Sequence, residues 1–274
     1  MTQISPSTKL FAVFGNPVGH SMSPQMHNAA FAYQGIDAVY LAFAVDDAVK
    51  AILAMKALSI GGASVTIPFK EEVMELLDEI DPLAQRIGAV NTVLNRNGRL
   101  IGYNTDGMGA TQALTDKVIL QNRSVCILGA GGAARSVAYG LREKGAHVII
   151  CNRSVDRGKK LADELSVSFY PLSAIDSFPC DILVNTTSVG MLPNVLDIPV
   201  PESMLHPNMV VMDIVYNPLK TALLKAAEIR GCTIIDGLSM FVYQGAFQFE
   251  LWTQIQAPLE VMRNAVLQAL TKHK

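Results

Sequence analysis

The stretch Arg123–Ser154, RSVCILGAGGAARSVAYGLREKGAHVIICNRS, decides the fold: an apolar run of strand length meets a glycine-rich turn, a helical pattern and a second apolar run. The turn, Gly129-Ala130-Gly131-Gly132-Ala133-Ala134, fits G-x-G-x-x-A. Each small residue has a task. Gly129 permits the tight turn, Gly131 lets the backbone approach a pyrophosphate, and Ala134 keeps helix and strand close, while the unpaired N–H groups of the following helix favour an anion. A strand before, a helix after and a second strand ending about twenty residues on point to a dinucleotide site, where a bare glycine match would say little.

At the end of that second strand a protein that binds NAD usually offers Asp or Glu to the ribose hydroxyls. This chain reads Cys151-Asn152-Arg153-Ser154-Val155-Asp156-Arg157. The acid is missing, and the guanidinium groups of Arg153 and Arg157 suit the 2′-phosphate of NADP. Asp156 is a complication, since it can pair with either arginine.

Outward from this core, strands are expected near 124–128, 147–151, 167–170, 181–184, 209–213 and 233–235, enough for a doubly wound parallel sheet. Upstream, LFAVFG (10–15), AVYLAFAV (38–45) and GASVTI (62–67) alternate with helical patterns at 24–34 and 46–58, as in parallel βαβ units. A helical region is expected around 70–88, and AVNTVLNRNGRLIGYN (89–104) flanks Asn97-Gly98 with β-type residues, a hairpin signal. From about Leu238 helical periodicity runs on, and Pro258 opens a new helix. The expected architecture is two-domain α/β: an N-terminal α/β substrate-binding catalytic domain over 1–106, a Rossmann domain over 107–237, and C-terminal helices over 238–274 returning to the first domain.

Composition narrows the partner. Of 274 residues, 50% are hydrophobic and 17% charged, which excludes a disordered or collagen-like chain. Lys and Arg number 22 against 24 Asp and Glu, a net charge of −2, so no global field favours nucleic acid or an anionic membrane. A small molecule is the default partner. The first ten residues lack the basic start and apolar core of a secretory signal, and no segment reaches the ~18 apolar residues of a membrane span, so a cytoplasmic location is expected. Cys126, Cys151, Cys180 and Cys232 form no CxxC pair and read as reduced core thiols. The five histidines show no HExxH spacing, and no metal is expected.

Polar residues gather in the first domain. In Gly19-His20-Ser21-Met22-Ser23-Pro24, Ser23 is an expected N-cap with Pro24 at the first helical position, and two hydroxyls beside a helix end can hold a carboxylate. Val65-Thr66-Ile67-Pro68-Phe69-Lys70 carries a strand into a turn and leaves Lys70 at an expected helix start, where it opposes the dipole. Ala89-Val90-Asn91-Thr92 and Asn104-Thr105-Asp106-Gly107 add amides, hydroxyls and a carboxylate near strand ends; each alone is also ordinary turn chemistry.

Together GHSMSP, SVTIPFK, AVNT, NTDG, GAGGA, NRS, NTTSVGM, DIVYNP and GLSMFVYQGA occur in the order of the shikimate dehydrogenase family, which the chain resembles over nearly its whole length. The resemblance implies a monomeric or homodimeric NADP-dependent oxidoreductase whose cleft holds shikimate on the first domain and NADP on the second. It implies reversible reduction of 3-dehydroshikimate to shikimate in aromatic amino-acid and chorismate biosynthesis. Carried over by motif, Ser21 and Ser23 bind the substrate carboxylate with help from Tyr216, Thr66, Asn91 and Gln244 read ring hydroxyls, and Lys70 and Asp106 form the catalytic pair. Gly129, Ala130, Gly131, Gly132, Ala133, Asn152, Arg153, Ser154 and Arg157 match the NADP contacts, and Ile214 and Gly237 lie near the nicotinamide. One departure stands out: the family often reads Asn before Val-Thr, and this chain has Ser64, which loses the amide's reach and its second donor. Two rivals remain: a quinate/shikimate dehydrogenase, often NAD-linked, and a catalytically silent NADP-binding sensor.

Overall fold

The computed structural model describes residues 4–272. They form two compact units, one taking the chain up to Thr105 together with the stretch from Gln244 onward, the other Asp106–Tyr243.

The first unit is built from β1 (Lys9–Gly15), α1 (Ser23–Tyr33), β2 (Ala38–Ala44), α2 (Ala48–Ala57), β3 (Gly62–Val65), β4 (Glu79–Ile80), α3 (Pro82–Ile87), β5 (Thr92–Arg96) and β6 (Arg99–Tyr103). Its sheet runs β2-β1-β3-β5-β6-β4. β1 lies parallel to β2 and β3, and its run Phe11 to Phe14 is buried throughout, as a strand covered on both faces must be. The Asn97-Gly98 hairpin joins β5 to β6 antiparallel, with φ of 54° and 88° at the two turn residues, the handedness a two-residue connection prefers.

The expectation of a continuous helical region at 70–88 is corrected. A 3-10 turn at Glu72–Leu76, β4 and α3 replace it. Two local interactions break the helix. The Asp78 carboxylate accepts from the Leu100 N–H at 2.7 Å, drawing the segment onto β6, and the Asp81 side chain caps α3 by accepting from Leu83 N–H at 2.9 Å. Pro82 then sits at the head of α3, where its missing N–H costs nothing. Lys70 therefore precedes only a five-residue 3-10 turn, and no helix dipole opposes it.

The second unit contains α4 (Asp106–Thr115), β7 (Ser124–Leu128), α5 (Gly132–Glu143), β8 (His147–Asn152), α6 (Val155–Leu165), β9 (Ser168–Pro171), β10 (Ile182–Asn185), β11 (Val210–Asp213), α7 (Ala222–Ile229) and β12 (Thr233–Ile235). All pairings are parallel in the order β9-β8-β7-β10-β11-β12. Numbered from β7, this is 3-2-1-4-5-6, the doubly wound order, with its switch point between β7 and β10. The chain ends in α8 (Gly237–Thr253) and α9 (Leu259–Lys272), and Pro258 immediately precedes α9. In the first unit the Trp252 indole N–H donates to the Val93 carbonyl at 3.1 Å. The four cysteines are free and buried.

Candidate active site

In a doubly wound sheet a ligand binds beyond the carboxyl ends of the strands at the switch point, where β7 delivers the glycine-rich turn. Gly129 adopts φ +116°, which a side chain would strain, and a Cβ there would lie 2.8 Å from Thr186 Oγ1. Gly131 caps α5 without any side-chain hydrogen bond to the helix end, and a Cβ built on it would meet nothing within 4 Å. The first N–H groups of α5 are thus uncapped behind an open approach, which fits a pyrophosphate. Ala130, Gly132 and Ala133 are half-buried beside it, and Ala134 is fully buried against the sheet.

At the end of β8, Asn152 closes the corner by donating from its amide to the Ser154 carbonyl at 2.9 Å. Arg153, Ser154 and Arg157 are exposed. Among the described residues no ion pair joins Asp156 to either arginine, so the competing pair considered from sequence is not formed. A corner with no acid at the strand end and two exposed guanidinium groups fits a ribose phosphate.

The loops after β10 and β11 are locked by residues to which the sequence reading gave no role: Asn185 and Asp213, quoted only within motifs, and Thr221, not quoted at all. The Asp213 carboxylate accepts from Asn185 Nδ2 at 3.0 Å, Val215 N–H at 3.0 Å and Thr221 Oγ1 at 2.7 Å. Burial nevertheless dominates and raises its pKa to about 6. This clamp fixes the DIVYNP segment. A Cβ on Gly237 would fall 2.5 Å from the carbonyl oxygens of Ile214 and Val215, so Gly237 is required for the approach of α8 to that loop. Tyr216 stacks on Phe241 with ring centroids 4.6 Å apart. Asp106, 7% exposed, is the first residue of α4 in this unit.

The substrate candidates of the first unit include two hydrogen-bonded groups. Ser21 Oγ donates to Ser23 Oγ at 3.1 Å. Ser23 is not the expected N-cap: α1 begins at Ser23 itself, Met22 occupies the cap position, and no side chain caps the helix. The Ser23 hydroxyl is turned to its serine neighbour instead. Asn91 Oδ1 accepts from the Thr105 N–H at 2.8 Å and from Thr92 Oγ1 at 2.7 Å, while Asn91 Nδ2 donates to Thr105 Oγ1 at 3.0 Å. Thr66 and Lys70 are half-buried after β3, and the Lys70 carbonyl accepts from Val90 N–H at 2.8 Å. Gln244 is buried on α8. The structure thus joins Ser21 to Ser23 and Asn91 to Thr105, and assigns Lys70 and Asp106 to different units.

Three buried residues here escaped the sequence reading. Gln248 lies four residues after Gln244, on the same face of α8, a spacing that signals a shared role. Tyr40 and His27 carried no such signal. His27 stacks on Tyr40 at 4.5 Å, neither of its ring nitrogens has a hydrogen-bond partner, and burial lowers its pKa to about 3 against a weaker pull from the nearby Gln248 side chain. Burial likewise pushes the Tyr40 phenol above its ordinary range.

A doubly wound unit with an open phosphate turn, together with an α/β unit carrying converging hydroxyls and amides, defines a dinucleotide-dependent oxidoreductase of the two-unit α/β class. The shikimate dehydrogenase substrate binding domain matches residues 13–93, shikimate/quinate 5-dehydrogenase matches 111–214, and the shikimate 5′-dehydrogenase C-terminal domain matches 237–267. The shikimate dehydrogenase (NADP(+)) of Pyrococcus furiosus is 46% identical over 274 residues, covering 99% of this chain and 100% of that protein. A crystal structure of shikimate dehydrogenase in complex with NADP+ superposes with a TM-score of 0.95 at 43% identity, covering 98% of both chains. The Thermus thermophilus shikimate 5-dehydrogenase, solved with NADP(H) and shikimate, superposes at 0.89 with 38% identity, covering 95% of this chain and 99% of that one. The chain belongs to the shikimate dehydrogenase family.

Proposed function

We propose that this chain catalyses the NADP-dependent, reversible reduction of 3-dehydroshikimate to shikimate. The observation that carries the reading is the first unit's two hydrogen-bonded groups: a hydroxyl pair at Ser21 and Ser23, and an amide–hydroxyl cluster at Asn91, Thr92 and Thr105. A small cyclic polyol bearing a carboxylate presents complementary groups. Ser21, Ser23 and Tyr216 hold the carboxylate, and Thr66, Asn91 and Gln244 read the ring hydroxyls.

When bound, NADPH supplies a hydride to the carbonyl carbon. The chain's residues bind, orient and protonate. The uncapped end of α5 would hold the pyrophosphate at Gly129, Ala130, Gly131, Gly132 and Ala133, while Arg153 and Arg157 would take the 2′-phosphate, with Asn152 and Ser154 as further NADP contacts. Ile214 and Gly237 set the nicotinamide's place. Lys70 stabilises negative charge on the carbonyl oxygen and gives it a proton, and Asp106 orients Lys70. No step requires a metal. The protein, monomer or homodimer, works in the cytoplasm, a reducing compartment that suits four free buried thiols.

Purified protein given 3-dehydroshikimate or 3-dehydroquinate, with NADPH or NADH, tests the reading. Efficient turnover of 3-dehydroshikimate with NADPH is expected. Comparable kcat/KM for both ketones selects the quinate/shikimate alternative, and NADPH binding without turnover selects the silent sensor.

A further inference from the structure

A buried chain of hydrogen bonds crosses the first unit's sheet, and Gln248 is its central link. Tyr40 O–H donates to Ser64 Oγ at 2.7 Å, Ser64 Oγ to Gln248 Oε1 at 2.8 Å, Gln248 Nε2 to Thr92 Oγ1 at 3.0 Å, and Thr92 Oγ1 to Asn91 Oδ1 at 2.7 Å. Gln248 Nε2 also reaches the Asn91 carbonyl at 3.4 Å. Gln248 is 1% exposed, and the other four residues are buried.

The direction of the chain follows from one backbone group. The Thr105 N–H is a donor and nothing else, so the atom of Asn91 facing it is Oδ1. With the Thr92 proton given to that oxygen, Thr92 Oγ1 accepts, and the Gln248 amide must face it with its nitrogen. Gln248 then turns its oxygen to Ser64, which gives up its single proton and accepts from Tyr40. Only an amide serves both ends. A carboxylate has no donor for Thr92, and a thioether of the same length has neither function.

The geometry points to Gln248 as a positioning residue for substrate: from α8 it ties β3 at Ser64, two residues before Thr66, to β5 at Thr92, beside Asn91. From α8 it supplies the amide that the Ser64 hydroxyl cannot. This inference rests on the assignment of Thr66 and Asn91 to ring hydroxyls. Gln248 itself acts through Ser64, Thr92 and Asn91.

The test is the shikimate and NADP Michaelis constants and kcat of the whole chain in five forms, each checked for its melting transition: parent, Asn91→Ala, Gln248→Met, Ser64→Ala, and Gln248→Ala combined with Ser64→Asn. Gln248→Met is expected to raise the shikimate KM about tenfold, the scale of one buried hydrogen-bond partner, with a smaller change in kcat and an unchanged NADP KM. Relocating the amide to position 64 in the double variant is expected to recover most of that loss. A merely structural role would lower the melting point in both Gln248 forms and show no such recovery. An unmoved shikimate KM in folded Gln248→Met, or a double variant no better than it, overturns the inference. If Gln248→Met does not fold, Ser64→Ala is decisive, and an unmoved KM there overturns it too. An unmoved KM in Asn91→Ala overturns the substrate assignment and the inference with it, whereas a KM that moves in Asn91→Ala alone overturns only the role of Gln248.

Discussion

Gly107 of α4 and Ser136 of α5 meet backbone to backbone: a Cβ on Gly107 would lie 2.3 Å from the Ser136 carbonyl oxygen. The contact repeats one turn along, where a Cβ on Gly140 would fall 2.9 Å from the Gly107 carbonyl oxygen. Asp106 precedes Gly107, and α5 begins at the phosphate turn, so this seam fixes the proposed Asp106 carboxylate relative to the cofactor end of its own unit. Gly107→Ala must push the helices apart, because backbone cannot yield as a side-chain tip can. Overpacking of this kind costs about 1–3 kcal/mol. A lowered melting temperature and a kcat loss larger than the change in either KM are expected, from thermal unfolding and steady-state kinetics. Wild-type kcat in the variant would show that the seam does not set Asp106.

Arg153 is exposed at the end of β8, and among the described residues no ion pair joins it to Asp156, so it is available to a phosphate. A charge-assisted contact is worth ~1.5–3 kcal/mol, and solvent exposure places this one near the lower end, roughly tenfold. Arg153→Ala is expected to raise the NADP KM by about that factor while leaving the weaker use of NAD nearly unchanged. Equal efficiency with NAD and NADP in the parent protein overturns the assignment.

The sequence exposed the β7–α5–β8 core of the second unit because each decision there is local. The glycine turn, its flanking periodicities and the missing acid after Cys151 all lie within Arg123–Arg157. The hairpin at Asn97-Gly98 was equally legible, since its dipeptide alone dictates the turn. The 70–88 region was not, because Asp78 breaks it by bonding Leu100, twenty-two residues away. Ser23 looked like a cap because its residue type and the following proline fit one, yet Ser21 provides it with another partner. Gln248 was hidden for the same reason: its partners Ser64 and Thr92 lie on strands more than 150 residues upstream, and only the folded sheet brings them together.

Lys70 and Asp106 are expected to act as one unit in turnover. Lys70→Ala removes both charge stabilisation and the proton donor, and kcat should fall by the ~10²–10⁴ typical of general acid–base groups, with a smaller change in shikimate affinity. Asp106→Asn keeps the shape but removes the charge proposed to orient the lysine. The double variant should then be little worse than the weaker single, the non-additivity of coupled groups. Kinetics of the four forms decide: losses that simply multiply mean the two residues act independently.

His27 and Asp213 give the two units opposite responses to acid. The His27 pKa is lowered from 6.5 to about 3 because burial penalises the imidazolium. The folded first unit therefore binds fewer protons than the unfolded chain between those values. The contribution of His27 is intact above pH 6.5 and is lost as pH falls toward 3, up to roughly 5 kcal/mol at 1.36 kcal/mol per unit. Asp213 is raised from 3.8 to about 6, so the folded second unit binds more protons there, and its contribution is lost as pH rises through that window, roughly 3 kcal/mol. Trp252, the chain's one tryptophan, lies 5.1 Å from the His27 ring and reports on the first unit alone. Denaturant unfolding followed by its emission should show stability falling between pH 6.5 and 4. His27→Phe keeps a ring against Tyr40 but cannot ionise, so its profile should be flatter over that range, whatever the extra bulk costs at neutral pH. Asp213→Asn, followed by circular dichroism, should remove the opposite slope between pH 4 and 6. A His27→Phe profile parallel to the parent's would assign the acid loss to other groups, because no change in packing alone reproduces a proton-linked slope.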